Sequence, residues 1–255
     1  MNTVKDIFEI LCEIAPLELQ LPYDNAGFLI GRADMPVKKA LLSLDVTDEI
    51  VQEAVESRAQ LIVSHHPVIW DEMKSITDCT PGNKKLLNLF ENGIAVISMH
   101  TNLDMAEGGV NDVLISLLGA QNEGPFDEEG CGRKGKLEKP VPLNVFLSIC
   151  KDKLKTNGLR YFDAGRPAEH IAVLGGSGGS NLLGAWAAGC DTFVTADVKY
   201  SVFLQARELG INLIDGDHFC TENPIIPVLA QKLQHAFPET EFVISKRHDQ
   251  TARFF

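Results

Sequence analysis

The chain has 255 residues, which is room for one large domain or two smaller ones. Its 45% hydrophobic and 23% charged residues are an ordinary globular balance, and a net charge of −12 argues against a nucleic-acid partner, whose phosphates need a basic face. No apolar run approaches the roughly 18 residues of a membrane helix, so we expect no membrane partner. The first residues include acids and lack a cleavage-site pattern, so we expect a cytoplasmic protein.

The predicted elements begin with an amphipathic helix that Pro16 ends. Its apolar residues recur at near-helical spacing, at Val4, Ile7, Phe8, Leu11, Cys12 and Ile14. From residue 40 onward, apolar runs that end in polar residues alternate with helical stretches. This order predicts an α/β fold with a largely parallel sheet.

The chain also repeats itself. Residues 40–47 align with 171–178, residues 61–66 align with 192–197, and residues 92–100 match 209–217. Any two strand–helix units share some of this pattern, but matching period and polarity favour a duplication. We therefore predict two α/β halves, 1–125 (which the C-terminal residues could join) and 126–255, with a linker rich in glycine and charge at 121–140.

Polar residues cluster where the predicted strands end. The clusters are Asp45, His65-His66, His100 to Asp104, Asp197, and Asp215 to Glu222. In parallel sheets, functional groups collect beyond the carboxyl ends of the strands. We therefore expect these side chains to form one site.

Two adjacent histidines follow the strand at residues 61–64. Pro67 favours an extended conformation for His66, and neighbouring side chains in an extended segment point in opposite directions. The pair therefore suits two different metal ions better than one. The alternative is a pair of surface histidines in a loop.

Two further pairs lie at helical spacing. If a helical turn begins at His100, then Asp104 shares its face and can bind metal, while His100 is either a ligand or a group that orients one. The alternative for Asp104 is a helix N-cap. His218 and Glu222 stand at i and i+4, where an imidazole and a carboxylate can bind metal together or form a plain surface pair.

Three histidines and two carboxylates favour Zn, Fe, Mn, Co or Ni over Ca or Mg, which prefer oxygen ligands. Weaker signals include Gly175–Ser180, which lacks the ending of a P-loop and is interpreted as a tight turn. Asp197 and Lys199 could contact substrate or pair with each other.

The motifs as a set resemble the NIF-three-like family (NGG-interacting-factor-three), also called GTP cyclohydrolase 1 type 2 homologues. They are Asp24–Gly27, Ser43–Thr47, Ser64–Pro67, His100–Asp104, Gly108–Asp112, Gly175–Gly179, Ala196–Tyr200 and Asp217–Glu222. The resemblance implies two intertwined domains with partly duplicated βα topology and mixed, mostly parallel sheets. It also implies a homohexamer built as a trimer of dimers, and the short linker is similar to that of the bacterial form without a central insert.

The resemblance further implies a dinuclear site in the cleft between the domains, with two divalent ions per subunit. His66 and Asp104 would hold one ion, His65 and His218 the other, and Glu222 would bridge both.

The chain departs from the family pattern in two places. Ala196 and Ser201 stand where the family usually has glycine and histidine. The missing histidine removes a candidate acid or base but none of the expected ligands, so the departure bears on a shared substrate and on catalysis itself.

These features predict a metal-dependent hydrolase acting on a small nucleotide-like or phosphoester substrate, with GTP as one candidate. In such an enzyme, Asp45, His100, Asp197 or Lys199 could assist proton transfer. The alternative is a protein without catalysis that serves as a metal carrier, a chaperone or a regulatory scaffold.

Overall fold

The structure, a computed structural model, describes residues 2–127 and 130–253. Its helices are α1 (Val4–Ile14), α2 (Asp48–Ser57), α3 (Pro81–Glu91), α4 (Thr101–Met105), α5 (Val110–Leu117), α6 (Leu143–Leu154), α7 (Leu182–Ala187), α8 (Tyr200–Leu209), α9 (His218–Glu222) and α10 (Ile225–Ala236). Its strands are β1 (Gly27–Ile30), β2 (Lys39–Ser43), β3 (Leu61–Ser64), β4 (Ala95–Ser98), β5 (Gln121–Gly124), β6 (Arg133–Val141), β7 (Arg160–Phe162), β8 (Ala168–Val173), β9 (Thr192–Thr195), β10 (Asn212–Asp215) and β11 (Glu241–Ile244).

The chain divides into two compact units. Unit 1 comprises the residues up to Ala106 together with Ile226–Asp249, and unit 2 comprises Glu107–Ile225 together with the residues from Gln250 onward. The chain thus enters unit 2 before the boundary that we placed at residue 125. It returns to unit 1 near its end, which is what intertwined domains require.

Unit 1 is built on a sheet in the order β1-β4-β3-β2-β11. Strands β11, β2, β3 and β4 are parallel, and β1 is antiparallel to β4. All residues of β3 and β4 are buried, as expected for central strands of a sheet that is covered on both faces. The predicted N-terminal helix α1 begins at a capping box between Thr3 and Asp6 and buries Val4, Ile7 and Leu11.

Unit 2 is built on a sheet in the order β5-β6-β8-β9-β10-β7. Strands β8, β9 and β10 are parallel, whereas β6 and β7 flank them in antiparallel orientation. Its apolar core includes Phe146 of α6, which is fully buried, together with Val173 and Val194 from the parallel strands.

The two sheets share one plan. Each has three consecutive parallel strands joined by helices, β2 to β4 in unit 1 and β8 to β10 in unit 2. Each also has an antiparallel strand that precedes these three in the chain and pairs with the third of them, β1 in unit 1 and β7 in unit 2. A single helical turn follows the third strand in both, as α4 and as α9. The predicted fold class, α/β with two intertwined domains, partly duplicated βα topology and mixed sheets, is confirmed.

The prediction of a linker at residues 121–140 is wrong. This segment forms β5 and most of β6, while Glu128 and Glu129 within it lie outside the described residues. Buried Arg133 and Leu137 alternate with the more accessible Lys134, Lys136 and Glu138 along β6, so these three charges lie on one face of the strand. A charge-rich sequence can therefore still build a sheet, because only every second side chain must be buried.

In the two described ranges, no helix is both long enough and apolar enough to cross a lipid bilayer.

The close approach of β5 and β6 requires glycine at position 135. A Cβ atom there would lie 2.3 Å from the carbonyl oxygen of Gln121. We expect Gly135→Ala to lower the free energy of unfolding by about 1–3 kcal/mol, because the strands must separate to admit the methyl group. Urea unfolding followed by circular dichroism measures the change. Gly82→Ala in α3 is the control, since its Cβ meets nothing within 4 Å; equal stability of the two variants would contradict the prediction.

Candidate metal centre

In unit 1, the strand register brings the candidate residues to one edge of the sheet. Ser43, Ser64 and Ser98 are aligned as neighbours at the carboxyl ends of β2, β3 and β4. The Ser64 and Ser98 hydroxyls lie 2.8 Å apart, and the Ser64 hydroxyl donates to the carbonyl of His66 at 2.9 Å. The residues that follow these serines therefore leave the sheet side by side.

Three histidines of unit 1 form a compact group. One ring nitrogen from each of His65, His66 and His100 lies within 4.8 Å of the others, a spacing that could hold a metal ion. The rings of His65 and His66 are 5.0 Å apart, so the predicted opposite orientation is wrong. The chain bends here because the amides of both histidines donate to the Leu44 carbonyl, which takes them out of the extended conformation.

Each of these rings is held through Nδ1 by an oxygen. His65 contacts the Met99 carbonyl at 2.8 Å, His66 contacts Asp45 Oδ1 at 2.7 Å, and His100 contacts Asp24 Oδ1 at 2.8 Å. A carbonyl or carboxylate oxygen only accepts, so Nδ1 is the donor. The neutral ring then carries its lone pair on Nε2, which is the form that binds metal.

Asp104 lies inside α4, one turn beyond His100. Its Oδ1 atom is 3.6 Å from Nε2 of His65. The helical turn predicted at His100 to Asp104 is confirmed, and the alternative of an N-cap is wrong because the next helix, α5, is capped by Gly109.

Asp24 contacts the histidine group of unit 1 and is a residue that sequence reasoning did not single out. It accepts from His100 Nδ1 and from the amide and hydroxyl of Thr101. Burial alone would raise its pKa, but these hydrogen bonds outweigh burial and lower the pKa to about 2. Asp24 therefore stays ionised and orients His100. Its place in the Asp24–Gly27 motif, far from any predicted strand end, was the only signal.

In unit 2, the one-turn helix α9 presents His218 and Glu222 together. Nε2 of His218 lies 3.1 Å from Oε2 of Glu222, and Nδ1 of His218 contacts Asp197 Oδ2 at 2.7 Å. The predicted i, i+4 pair on a helical turn is confirmed. Asp217 begins the turn, because its side chain accepts from the amide of Cys220. The Cys220 thiol is buried in the core of unit 2, and burial raises its pKa to about 12.

The backbone around His218 is strained. Asp197 has φ 50° and Asp217 has φ 74°, values in the left-handed region that favours glycine. Asp197 holds the ring of His218, and Asp217 caps the helix that carries it. Strain of this kind persists where surrounding structure enforces it, and it concentrates at functional sites.

The predicted tight turn at Gly175–Ser180 packs against this pair. Gly176 has φ +65°, and a Cβ atom there would lie 2.1 Å from Oε1 of Glu222 and 3.1 Å from Nε2 of His218. The turn therefore gives the carboxylate its space, and the motif serves side-chain packing in unit 2.

The remaining candidates take other positions. Asp45 and Asp197 each hold a histidine ring, so Asp197 does not need Lys199 as its partner. Lys199 is exposed and its carbonyl accepts in the first turn of α8. His248 is partly buried, and its Nδ1 accepts from the Leu44 amide; burial lowers its pKa.

The distances fit shared coordination of a metal ion. Two atoms that each bind an ion at about 2.1 Å in a tetrahedral shell are about 3.4 Å apart. His65 with Asp104, at 3.6 Å, and His218 with Glu222, at 3.1 Å, both lie near this value. These contacts favour His65, rather than the His66 that the resemblance implied, as the histidine that shares an ion with Asp104.

We expect Gly176→Ala to weaken Zn²⁺ binding by at least about tenfold, because the new methyl group would displace the Glu222 carboxylate. Competition with a chromophoric chelator measures the affinity. Gly179→Ala is the matched control, since its Cβ would meet Val202 at an ordinary 3.6 Å. Native affinity in the Gly176 variant would show that Glu222 is not a ligand.

Asp24→Asn tests the buried anchor of His100 in the metal-free protein. Because the folded pKa of Asp24 is lowered to about 2, its contribution to stability is present above the unfolded pKa and is lost as pH falls through the folded pKa. We expect the variant to lose about 2 kcal/mol in free energy of unfolding near pH 7 and progressively less toward pH 2.

Urea unfolding at several pH values in the presence of a chelator gives this difference. Asp152→Asn, on an exposed position of α6, is the control. A loss that stays constant between about pH 7 and about pH 2 would contradict the assigned role of the charge.

Relatives match nearly the whole chain. It is 34% identical over 251 residues to the GTP cyclohydrolase 1 type 2 homolog of Clostridium perfringens, covering 95% of this chain and 96% of that protein. It is 33% identical over 241 residues to the homolog of Clostridium acetobutylicum, covering 91% of this chain and 90% of that protein. The crystal structure of a Bacillus cereus protein related to NIF3 shares the fold, with a TM-score of 0.92 at 23% identity and coverage of 100% and 99%. The Duf34/NIF3 (NGG1p interacting factor 3) family model matches residues 2–251, and the chain belongs to this family.

Proposed function

We propose that this protein is a metal-dependent hydrolase that holds two divalent ions per subunit. The ligands would be His65, His66 and Asp104 of unit 1 together with His218 and Glu222 of unit 2. The observation that carries the proposal is the fixing of each histidine through Nδ1, by Asp45, by Asp197 or by a backbone carbonyl. Histidines that bind metal are oriented in this way, and the acceptor also makes the ring more basic.

The donor set suits a first-row transition metal. Imidazole nitrogens together with carboxylates favour Zn, Fe, Mn, Co or Ni, whereas an all-oxygen shell would favour Ca or Mg. His65 with Asp104 would belong to one ion and His218 with Glu222 to the other.

Within this proposal, the aspartates are positioning residues. Asp45 holds His66 and Asp197 holds His218, so neither carboxylate has to move a proton itself. His100 stands beside the other two histidines of unit 1 and is the group best placed to carry a proton. Lys199 is exposed at the start of α8, where it could contact an anionic part of the substrate. Ions bound at the site would supply Lewis acidity and would make water more acidic.

The substrate class rests on the relatives. The clostridial proteins are named GTP cyclohydrolase 1 type 2 homologs. We therefore propose a nucleotide-like or phosphoester substrate, with GTP as one candidate. The net charge of −12 does not oppose an anionic substrate, because bound cations reverse the local sign of a site.

Elemental analysis together with turnover tests the proposal. We expect about two transition-metal ions per native chain. His66→Ala and Glu222→Ala should lower this ratio, because each removes a ligand. Asp197→Asn should keep the ligands but weaken metal affinity by about 10–100-fold. Asp152→Asn on α6 is the control for a lost carboxylate.

The metal-loaded native protein should hydrolyse a member of a panel of nucleotides and phosphodiesters, and Glu222→Ala should abolish that activity. An unchanged metal ratio in both alanine variants would overturn the ligand assignment. Full metal occupancy without turnover of any member of the panel would overturn the proposal that the protein is a hydrolase. In that case, rapid exchange of the ions would favour the metal carrier. The homohexamer, the cytoplasmic location and the absence of a nucleic-acid partner stay predictions.

A further inference from the structure

Trp70 has an unusual position in unit 1. Its side chain is 52% exposed, although the two residues before it, Val68 and Ile69, pack against the apolar core of the unit. Isolated exposed apolar side chains are common, so exposure alone has no meaning here. The packing of Val68 and Ile69 shows instead that Trp70 projects from an anchored segment.

Trp70 borders the histidine group. Its ring lies 5.3 Å from that of His100 with an interplanar angle of 76°, an edge-to-face contact. The ring of His100 in turn lies 5.1 Å from that of His65 and 5.6 Å from that of His66. The indole is therefore the next side chain outward from the candidate ligands of unit 1.

One short segment, Asp24 and Asn25, holds the imidazole of this contact and the backbone next to the indole. The Asp24 carboxylate holds His100, and the side-chain amide of Asn25 donates to the Ile69 carbonyl at 2.8 Å, next to Trp70. Two adjacent residues thus hold the imidazole and the backbone from which the indole projects. A binding surface needs this kind of fixed geometry, because a side chain that is already ordered loses less entropy when a ligand arrives.

The surroundings indicate which ligand would suit this surface. Asp71 and Glu72 follow Trp70 and are exposed, so a phosphate beside the indole would meet two negative charges. A neutral planar ring would meet no such repulsion and could stack on the aromatic face. We propose that Trp70 is the stacking residue for a planar heteroaromatic ring of the substrate, such as a nucleobase. This inference rests on the proposed function, since it names the part of the substrate that lies next to the metal centre.

Intrinsic fluorescence gives a direct test, because the chain has two tryptophans, Trp70 and Trp186. Trp186 belongs to α7 of unit 2, outside the candidate ligands. In Trp186→Phe, Trp70 is the sole tryptophan. We expect guanosine, adenosine or uridine to quench its emission saturably, and ribose 5-phosphate, which has no ring of this kind, to leave it unchanged.

Binding measured by equilibrium dialysis provides the second arm. Trp70→Ala should weaken binding of the quenching nucleoside by at least about fivefold, while Trp70→Phe keeps an aromatic face and should retain most of the affinity. Trp186→Ala is the matched control and should bind as the native protein does. Because Trp70 lies outside the core, both Trp70 variants should have the same unfolding temperature as the native protein.

The inference is overturned if none of the three nucleosides quenches Trp70, or if Trp70→Ala binds as tightly as the native protein. Neither readout needs turnover, and the metal content of Trp70→Ala is measured alongside. If the native protein holds its metal but binds none of the nucleosides, the stacking role is wrong and the proposed metal centre stands. Nucleoside binding at Trp70 in a protein that takes up no metal would remove the proposed hydrolase and leave the stacking role.

Discussion

The candidate site depends on one repeated interaction, the hydrogen bond that fixes a histidine ring through Nδ1. Four rings, those of His65, His66, His100 and His218, are held in this way by oxygen acceptors. Each acceptor has its own fixed position, because it belongs to the chain just beyond a strand or to a buried carboxylate. The sheets thus set the direction of the Nε2 lone pairs. An imidazole without such a partner could rotate about its side-chain bonds, and its nitrogens would have no fixed position.

The duplicated sheets use this interaction at different places. In unit 1, an aspartate after the first parallel strand holds a histidine after the second, as Asp45 and His66. In unit 2, an aspartate after the second strand holds a histidine after the third, as Asp197 and His218. The position equivalent to Asp45 is Gly176, where any side chain would displace Glu222. The aspartate–histidine pair of unit 2 therefore lies one strand later in the sheet than the pair of unit 1. The Glu222 carboxylate occupies the space that an aspartate side chain at position 176 would need.

Much of this arrangement could be predicted because it follows from period and spacing. The strand ends, the turn that carries Asp104 and the turn that carries His218 and Glu222 are local features. The orientation of His65 and His66 could not be predicted, because it depends on the carbonyl of Leu44, which lies just beyond the neighbouring strand β2. Asp24 lies 76 residues from the histidine it holds, and that distance in sequence hides the contact. Strand β6 was missed because its charges alternate with a few buried residues, a pattern that composition alone averages away.

The pairing of β11 with β2 has a consequence for how the chain folds during synthesis. These neighbours are about 200 residues apart, and nearly all of unit 2 is made between them. Unit 2 can therefore assemble from an almost continuous segment as it leaves the ribosome. The sheet of unit 1 must wait with β2 as an exposed edge until the last strand emerges. Contacts of such long range form slowly, and an open strand edge invites pairing with another chain. The first-made unit thus depends on a strand that is synthesised after nearly all of unit 2.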